Sequence, residues 1–149
     1  MILAGTIHLD LEGPRRLEHL LFRKMPRKVS LEYPEGKTKE EIRKLFTKNR
    51  RKFREILEQS NLPVIFRQLM IELSDIHGYE ALTTLDYCKK TGCELIFVDH
   101  PSVLATCSCD GLREALEEQA MGISDELKGM AYDTLRKSVV TQVDRAYYD

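Results

Sequence analysis

Four side chains able to bind a metal or move a proton stand at the ends of predicted strands or the start of a helix. His8 follows the first predicted strand, within GTIH, while Glu32 ends the second and Asp99 ends the third. Glu80 stands in the first turn of a predicted helix, where the helix dipole favours an anion. Imidazole and carboxylate groups bind Mn, Zn, Co or Mg, and such a metal acidifies bound water enough to hydrolyse an amide or ester bond. Without a metal, the same groups would supply a general acid and a general base.

Each of these residues also has a purely structural interpretation. His8 would be an ordinary loop residue at a strand exit, and Glu32 would bond the amides of the turn that Pro34 begins. Asp99 would simply end its strand before Pro101. Because all three predicted strands end in such a side chain, the functional interpretation stays open beside the structural one.

Strands and helices alternate along the first hundred residues. The predicted strands are a short apolar run at 2–4 that stops at Gly5, an alternating run at 27–33 and an apolar run at 94–98. Helices are predicted from about Pro14, from Thr38 and Glu41 as a capping box, from Asn61 and Pro63, and from about Gly78 to Lys90, the last one ending at Gly92 in the C′ position. This order predicts an α/β fold, with a small, mainly parallel sheet, crossover helices and a helical C-terminal part. In such sheets, ligands bind outside the carboxyl ends of the strands.

The C-terminal part is predicted to hold two helices, capped by Asp110 and Ser124 with Gly122 between them. The second is long, and its apolar residues recur at helical spacing: Leu127, Met130, Ala131, Leu135, Val139, Val143 and Ala146. This face would pack on the domain or pair with another subunit. Because three strands make a small sheet, we also expect a fourth strand or a dimer that completes the core.

Length and composition suit one domain over residues 1–149, in which residues 110–148 form a helical C-terminal extension. No run of about 18 apolar residues is present that could span a membrane, and no basic leader precedes the first strand. We therefore expect a cytoplasmic protein. The four cysteines, at 88, 93, 107 and 109, match no common zinc pattern, so they are expected to be reduced thiols rather than a metal or redox centre.

Basic residues are concentrated in one predicted helix. The stretch from Lys37 to Arg54 contains nine basic and two acidic residues, as a nucleic-acid-binding surface would. The helix keeps its apolar stripe, and no aromatic residue interleaves with the basic ones on its exposed side. This pattern favours a solvated face over a nucleic-acid-binding surface on the basic helix, residues 38–58.

Three short motifs resemble the TraB/PrgY/GumN family, which is related to the Tiki and erythromycin-esterase groups. They are GTIH after the opening strand, SLEYPEG at the next, and GYEALTTLDYCKKTGCELIFVD as helix, turn and strand, within residues 2–106. The resemblance implies a metal-dependent hydrolase or protease whose site residues are His8, Glu32, Glu80 and Asp99. Family members often have Arg directly after the strand-ending Asp, where this chain has His100.

The leading hypothesis is therefore a metal-dependent hydrolase of a peptide or ester bond. His8, Glu32 and Glu80 would be catalytic, and these three with Asp99 would bind the divalent metal. One alternative is a non-enzymatic module that assembles through its C-terminal helix and holds a small molecule in the same crevice. The other is a nucleic-acid-binding protein that uses the basic helix.

Overall fold

The computed structural model describes Thr6, residues 10–34 and 38–99, Glu114, and residues 116–118 and 129–148. Its helices are α1 (Gly13–Lys24), α2 (Lys39–Glu58), α3 (Val64–Ile76), α4 (Tyr79–Thr91) and α5 (Tyr132–Tyr148), and its strands are β1 (Lys28–Pro34) and β2 (Glu94–Asp99). The mixed α/β class is therefore confirmed in its main features. The predicted first strand and His8 lie outside the described residues.

β1 and β2 form a parallel two-stranded sheet, and the chain passes through α2, α3 and α4 between them. Lys28 is the register partner of Glu94, and the two side chains form an ion pair of 3.1 Å between Nζ and Oε2. The register is regular as far as Leu31 and Phe97, and then shifts so that Pro34 pairs with Asp99. Between these two pairs β1 has two residues, Glu32 and Tyr33, where β2 has only Val98.

Local signals in the sequence set the ends of two helices. The predicted capping box at α2 is confirmed: the Thr38 N–H donates to Glu41 Oε2 at 2.7 Å, and the Glu41 N–H donates to Thr38 Oγ1 at 3.1 Å. α4 ends as predicted at Gly92, which adopts the left-handed conformation and donates its N–H to the Cys88 carbonyl at 2.9 Å.

The chain divides into two compact units, and α2 contributes residues to both. The first unit comprises Met1–Lys48 and Ile76–Ser108. Its core packs one face of the sheet against α2 and α4, through Ile42, Phe46, Ala81 and Leu85 together with the partly buried Leu31, Tyr33, Leu95 and Phe97. A neighbouring cluster joins Leu21 of α1 to Tyr87, Cys88 and Cys93. The prediction of a single domain with a C-terminal extension stays a prediction.

The second unit comprises Asn49–Asp75 and Cys109–Asp149. Leu57, Leu62 and Leu116 are buried together at its centre. Arg136 of α5 donates to Glu72 of α3, with Nε and Oε2 3.0 Å apart, which ties these two helices together.

The last helix begins later than the sequence predicts. α5 starts at Tyr132, whereas a helix capped by Ser124 would already include Met130 and Ala131. Gly129 has φ of +79°, and both residues that follow it are exposed and non-helical. Apolar residues keep the helical spacing on both sides of this turn, so the spacing alone does not reveal the turn. The predicted continuous helix is therefore wrong. The proposed pairing of this helix with another subunit stays a prediction, and residues 110–113 and 119–128 lie outside the described part.

Within the described ranges, no helix is both long and apolar enough to cross a membrane.

Candidate functional site

The start of α4 is held in place by tight packing from α2. Gly78, the residue before α4, has φ of +71°, and a Cβ at this position would overlap the ring of Phe46. The same ring packs edge-on against His77, with centroids 5.4 Å apart. Because only glycine combines this backbone conformation with so close an approach, the entry into α4 requires glycine at this position.

Glu80 is the second residue of α4, two positions after Gly78. It is only 5% exposed, which is rare for a glutamate. A carboxylate in the first helical turn gains from the helix dipole, which offsets part of the cost of its removal from water. The packing of Gly78 therefore presents a buried acidic group at a fixed position.

Tyr33 lies near the end of β1, close enough to Glu80 for the negative charge of this carboxylate to act on its phenol. Its ring packs edge-on against Phe46 and Phe97, at centroid distances of 5.6 and 6.2 Å. Burial, and then the negative charge of Glu80, raise the pKa of the Tyr33 phenol well above its ordinary value. The phenol therefore stays protonated near neutral pH, which keeps an O–H donor in the neighbourhood of a buried carboxylate. The alternation at 27–33 predicts Tyr33 only as a residue on the apolar face of its strand.

Two of the predicted strand-end residues belong to the carboxyl edge of the sheet. Glu32 is exposed, since it lies on the face opposite to that of Leu31 and Tyr33. Asp99 is the last residue of β2 and the register partner of Pro34. The register irregularity of β1 falls between Leu31 and Pro34, and such irregularities are common next to active sites.

The predicted metal centre of His8, Glu32, Glu80 and Asp99 stays a prediction, because His8 lies outside the described residues. Glu32 and Glu80 have the oxygen donors that Mn and Mg prefer. Among the residues that the structure describes, however, no three His, Cys, Asp or Glu side chains form a group able to hold a metal ion. A complete ligand set would need His8 and Asp99.

Thr84 adds a buried hydroxyl one helical turn beyond Glu80, on the same side of α4. It is fully buried, and its Oγ1 has no hydrogen-bond partner among the described residues. An unsatisfied buried hydroxyl costs free energy. The sequence signal that could have indicated it is the E-x-x-x-T spacing within a helix that is otherwise apolar on its inner side.

Asp10 is a second buried carboxylate that the sequence analysis did not include among the site residues. It is fully buried at the entry to α1, where its Oδ1 accepts the Glu12 N–H at 2.9 Å. Its Oδ2 lies 3.6 Å from Nε of Arg16. The Asp10 carbonyl also accepts the Gly13 N–H, at 2.8 Å. These hydrogen bonds give Asp10 a structural role, because they stabilise the turn from which α1 begins.

Cys88 and Cys93 are free and buried, as expected for reduced thiols. Burial, and then a hydrogen bond with Cys93, raise the pKa of Cys88 to about 11. A thiol with so high a pKa is protonated near neutral pH and is therefore a poor nucleophile. The C-x-C pair at 107 and 109 lies outside the described residues.

Comparison of the chain with known proteins gives no match: no family model, no curated protein and no solved structure is similar to it.

Proposed function

We propose that this protein is a hydrolase of a peptide or ester bond, assisted by a divalent metal and of the TraB type. The observation that carries the proposal is the burial of Glu80 in the first turn of α4, beside Tyr33 at the end of β1. Ionisable groups that perturb each other at the end of a strand, as Glu80 perturbs Tyr33, are frequent in catalytic sites. The parallel pairing of β1 with β2 supports the same location, since ligands of such sheets bind at the carboxyl ends of the strands.

His8, Glu80 and Asp99 would hold the metal, which would acidify a water molecule and polarise the carbonyl of the substrate. Glu80 would accept a proton from the attacking water and return it to the leaving group, as general bases and acids do. The burial of Glu80 would restrict the orientation of its carboxylate. Tyr33 would remain protonated and would offer a hydrogen bond to developing negative charge.

The test is a hydrolysis assay combined with elemental analysis of the purified full chain. A p-nitrophenyl ester series and a fluorogenic peptide library would be offered with Mn, Zn, Co or Mg. We expect Glu80→Gln and His8→Ala each to lower the rate by about 100-fold or more. His8→Ala should also lower the amount of bound metal.

Asp86→Asn is the matched control, because Asp86 is an exposed carboxylate on the same helix. It loses only a surface ion pair with Arg43, which contributes little to stability. Its activity should stay at the level of the unmodified protein. Absence of both bound metal and hydrolysis with all four metals would reject the proposal, as would equal losses in Glu80→Gln and Asp86→Asn.

A further inference from the structure

The basic residues of α2 separate into two groups. Between Arg43 and Arg54 the helix carries seven basic residues and no acidic one. Three of its arginines are paired with carboxylates: Arg43 with Asp86 at 2.6 Å, Arg51 with Glu55 at 2.8 Å and Arg54 with Asp75 at 2.5 Å. Arg50 is half-buried and close to Asp75. Carboxylates of the protein itself therefore compensate much of the arginine charge.

The second group is a lysine row formed by Lys44, Lys48 and Lys52. All three are exposed, and no described carboxylate lies within ion-pair distance of any of them. Residues four apart on a helix are neighbours on its surface, about 6 Å apart along the axis. The lysine row thus presents three positive charges over about 12 Å of one helix face, with no ion-pair partner in the part of the chain that the structure describes.

The remainder of α2 restricts which anionic partner fits. Its apolar residues are already packed in protein cores: Ile42 and Phe46 in one, and Phe53 and Leu57 in another. A helix that binds a lipid surface needs a free apolar face to insert, which α2 lacks. None of the exposed residues of α2 is aromatic, so the helix offers no platform on which unpaired bases would stack.

We propose that the lysine row binds the phosphate backbone of double-stranded DNA without sequence preference. One strand of B-DNA carries a phosphate about every 3.4 Å along the axis, so a row about 12 Å long faces three or four phosphates. The major groove of B-DNA accepts an α-helix, whereas that of A-form RNA is too narrow for side chains to enter. This activity is independent of the proposed hydrolase site, and either proposal can fail without the other.

The test measures binding of the full chain to a fluorescein-labelled 20-base-pair DNA duplex of arbitrary sequence by fluorescence anisotropy. Three lysine contacts predict a slope of log K against log salt of about −2.7, so binding should weaken roughly 40-fold between 50 and 200 mM salt. The variant Lys44→Gln/Lys48→Gln/Lys52→Gln should lose at least tenfold in affinity and most of the salt dependence.

The matched control is Lys24→Gln/Lys89→Gln/Lys137→Gln, which removes the same charge from exposed lysines on α1, α4 and α5. Circular dichroism and the melting temperature establish that both variants remain folded. The proposal is supported if only the lysine-row variant loses affinity. It is overturned if no duplex binding occurs at 50 mM salt, or if the control loses as much. Equal binding of duplex RNA, or displacement of the DNA by poly-glutamate of matched charge, also overturns it.

Discussion

Pro34 of β1 is the register partner of Asp99 of β2, so the last residues of the two parallel strands lie side by side. This pairing brings two predicted strand ends to one edge of the sheet. It also follows a shift in register between Leu31 and Pro34, so the pairing of β1 with β2 becomes irregular where the predicted site begins.

Gly78→Ala should destabilise the protein by about 2 to 4 kcal/mol. The added Cβ would overlap the ring of Phe46, and φ of +71° is unfavourable for alanine. Urea unfolding followed by circular dichroism measures the change. Gly92→Ala is the control, because its φ is +74° but no atom lies within 4 Å of the added Cβ. It should cost only about 1 kcal/mol. Equal costs would mean that Phe46 does not restrict the entry into α4.

Asp10→Ala should lower the free energy of unfolding by about 2 kcal/mol, because the Glu12 N–H loses its charged acceptor. Asp10→Asn keeps an oxygen at the same position and gives up only the ion pair with the half-buried Arg16, so it should cost less. Chemical denaturation of both variants gives the comparison. An asparagine variant as unstable as the alanine variant would show that the charge, rather than the acceptor oxygen, maintains the start of α1.

Thr38→Ala should cost about 1 kcal/mol, because it removes the hydroxyl that accepts the Glu41 N–H at the start of α2. Thr47→Ala makes the same substitution in the middle of this helix, where the hydroxyl donates to the Arg43 carbonyl. The second variant should be neutral or slightly stabilising, since alanine is the better helix former. Thermal melts monitored at a helical wavelength distinguish the two positions. A larger loss at Thr47 would contradict the capping assignment.

Alkylation of Cys88 by iodoacetamide should be slow near neutral pH. Its pKa is raised from 9.0 to about 11, so the reactive thiolate is scarce below pH 9 and increases as the pH rises towards 11. Burial of the folded thiol also restricts access of the reagent. Mass spectrometry of the tryptic peptide, with free glutathione as the reference thiol, measures the rate at each pH. Reaction at the glutathione rate at pH 8 would contradict the assigned burial and pKa.

The sequence alone determined the features that depend on residues a few positions apart. The capping box of Thr38 and Glu41, the end of α4 at Gly92 and the alternating residues of β1 were all predicted and confirmed. In each case the hydrogen bonds or the repeating side-chain direction involve neighbours within about four residues. The same local reasoning failed at Gly129, because helical spacing on both sides of a turn resembles one continuous helix.

Only the tertiary structure decided which polar groups are buried and what surrounds them. Phe46 lies against Gly78 although 32 positions separate them in the chain, and no local pattern encodes this contact. The burial of Glu80 and Asp10 likewise depends on packing that forms only when distant segments meet. The sequence alone could therefore predict only that Glu80 is a carboxylate at the start of a helix. Its removal from water and its effect on Tyr33 follow from the folded chain, because solvent exclusion and electrostatic interaction depend on three-dimensional distance.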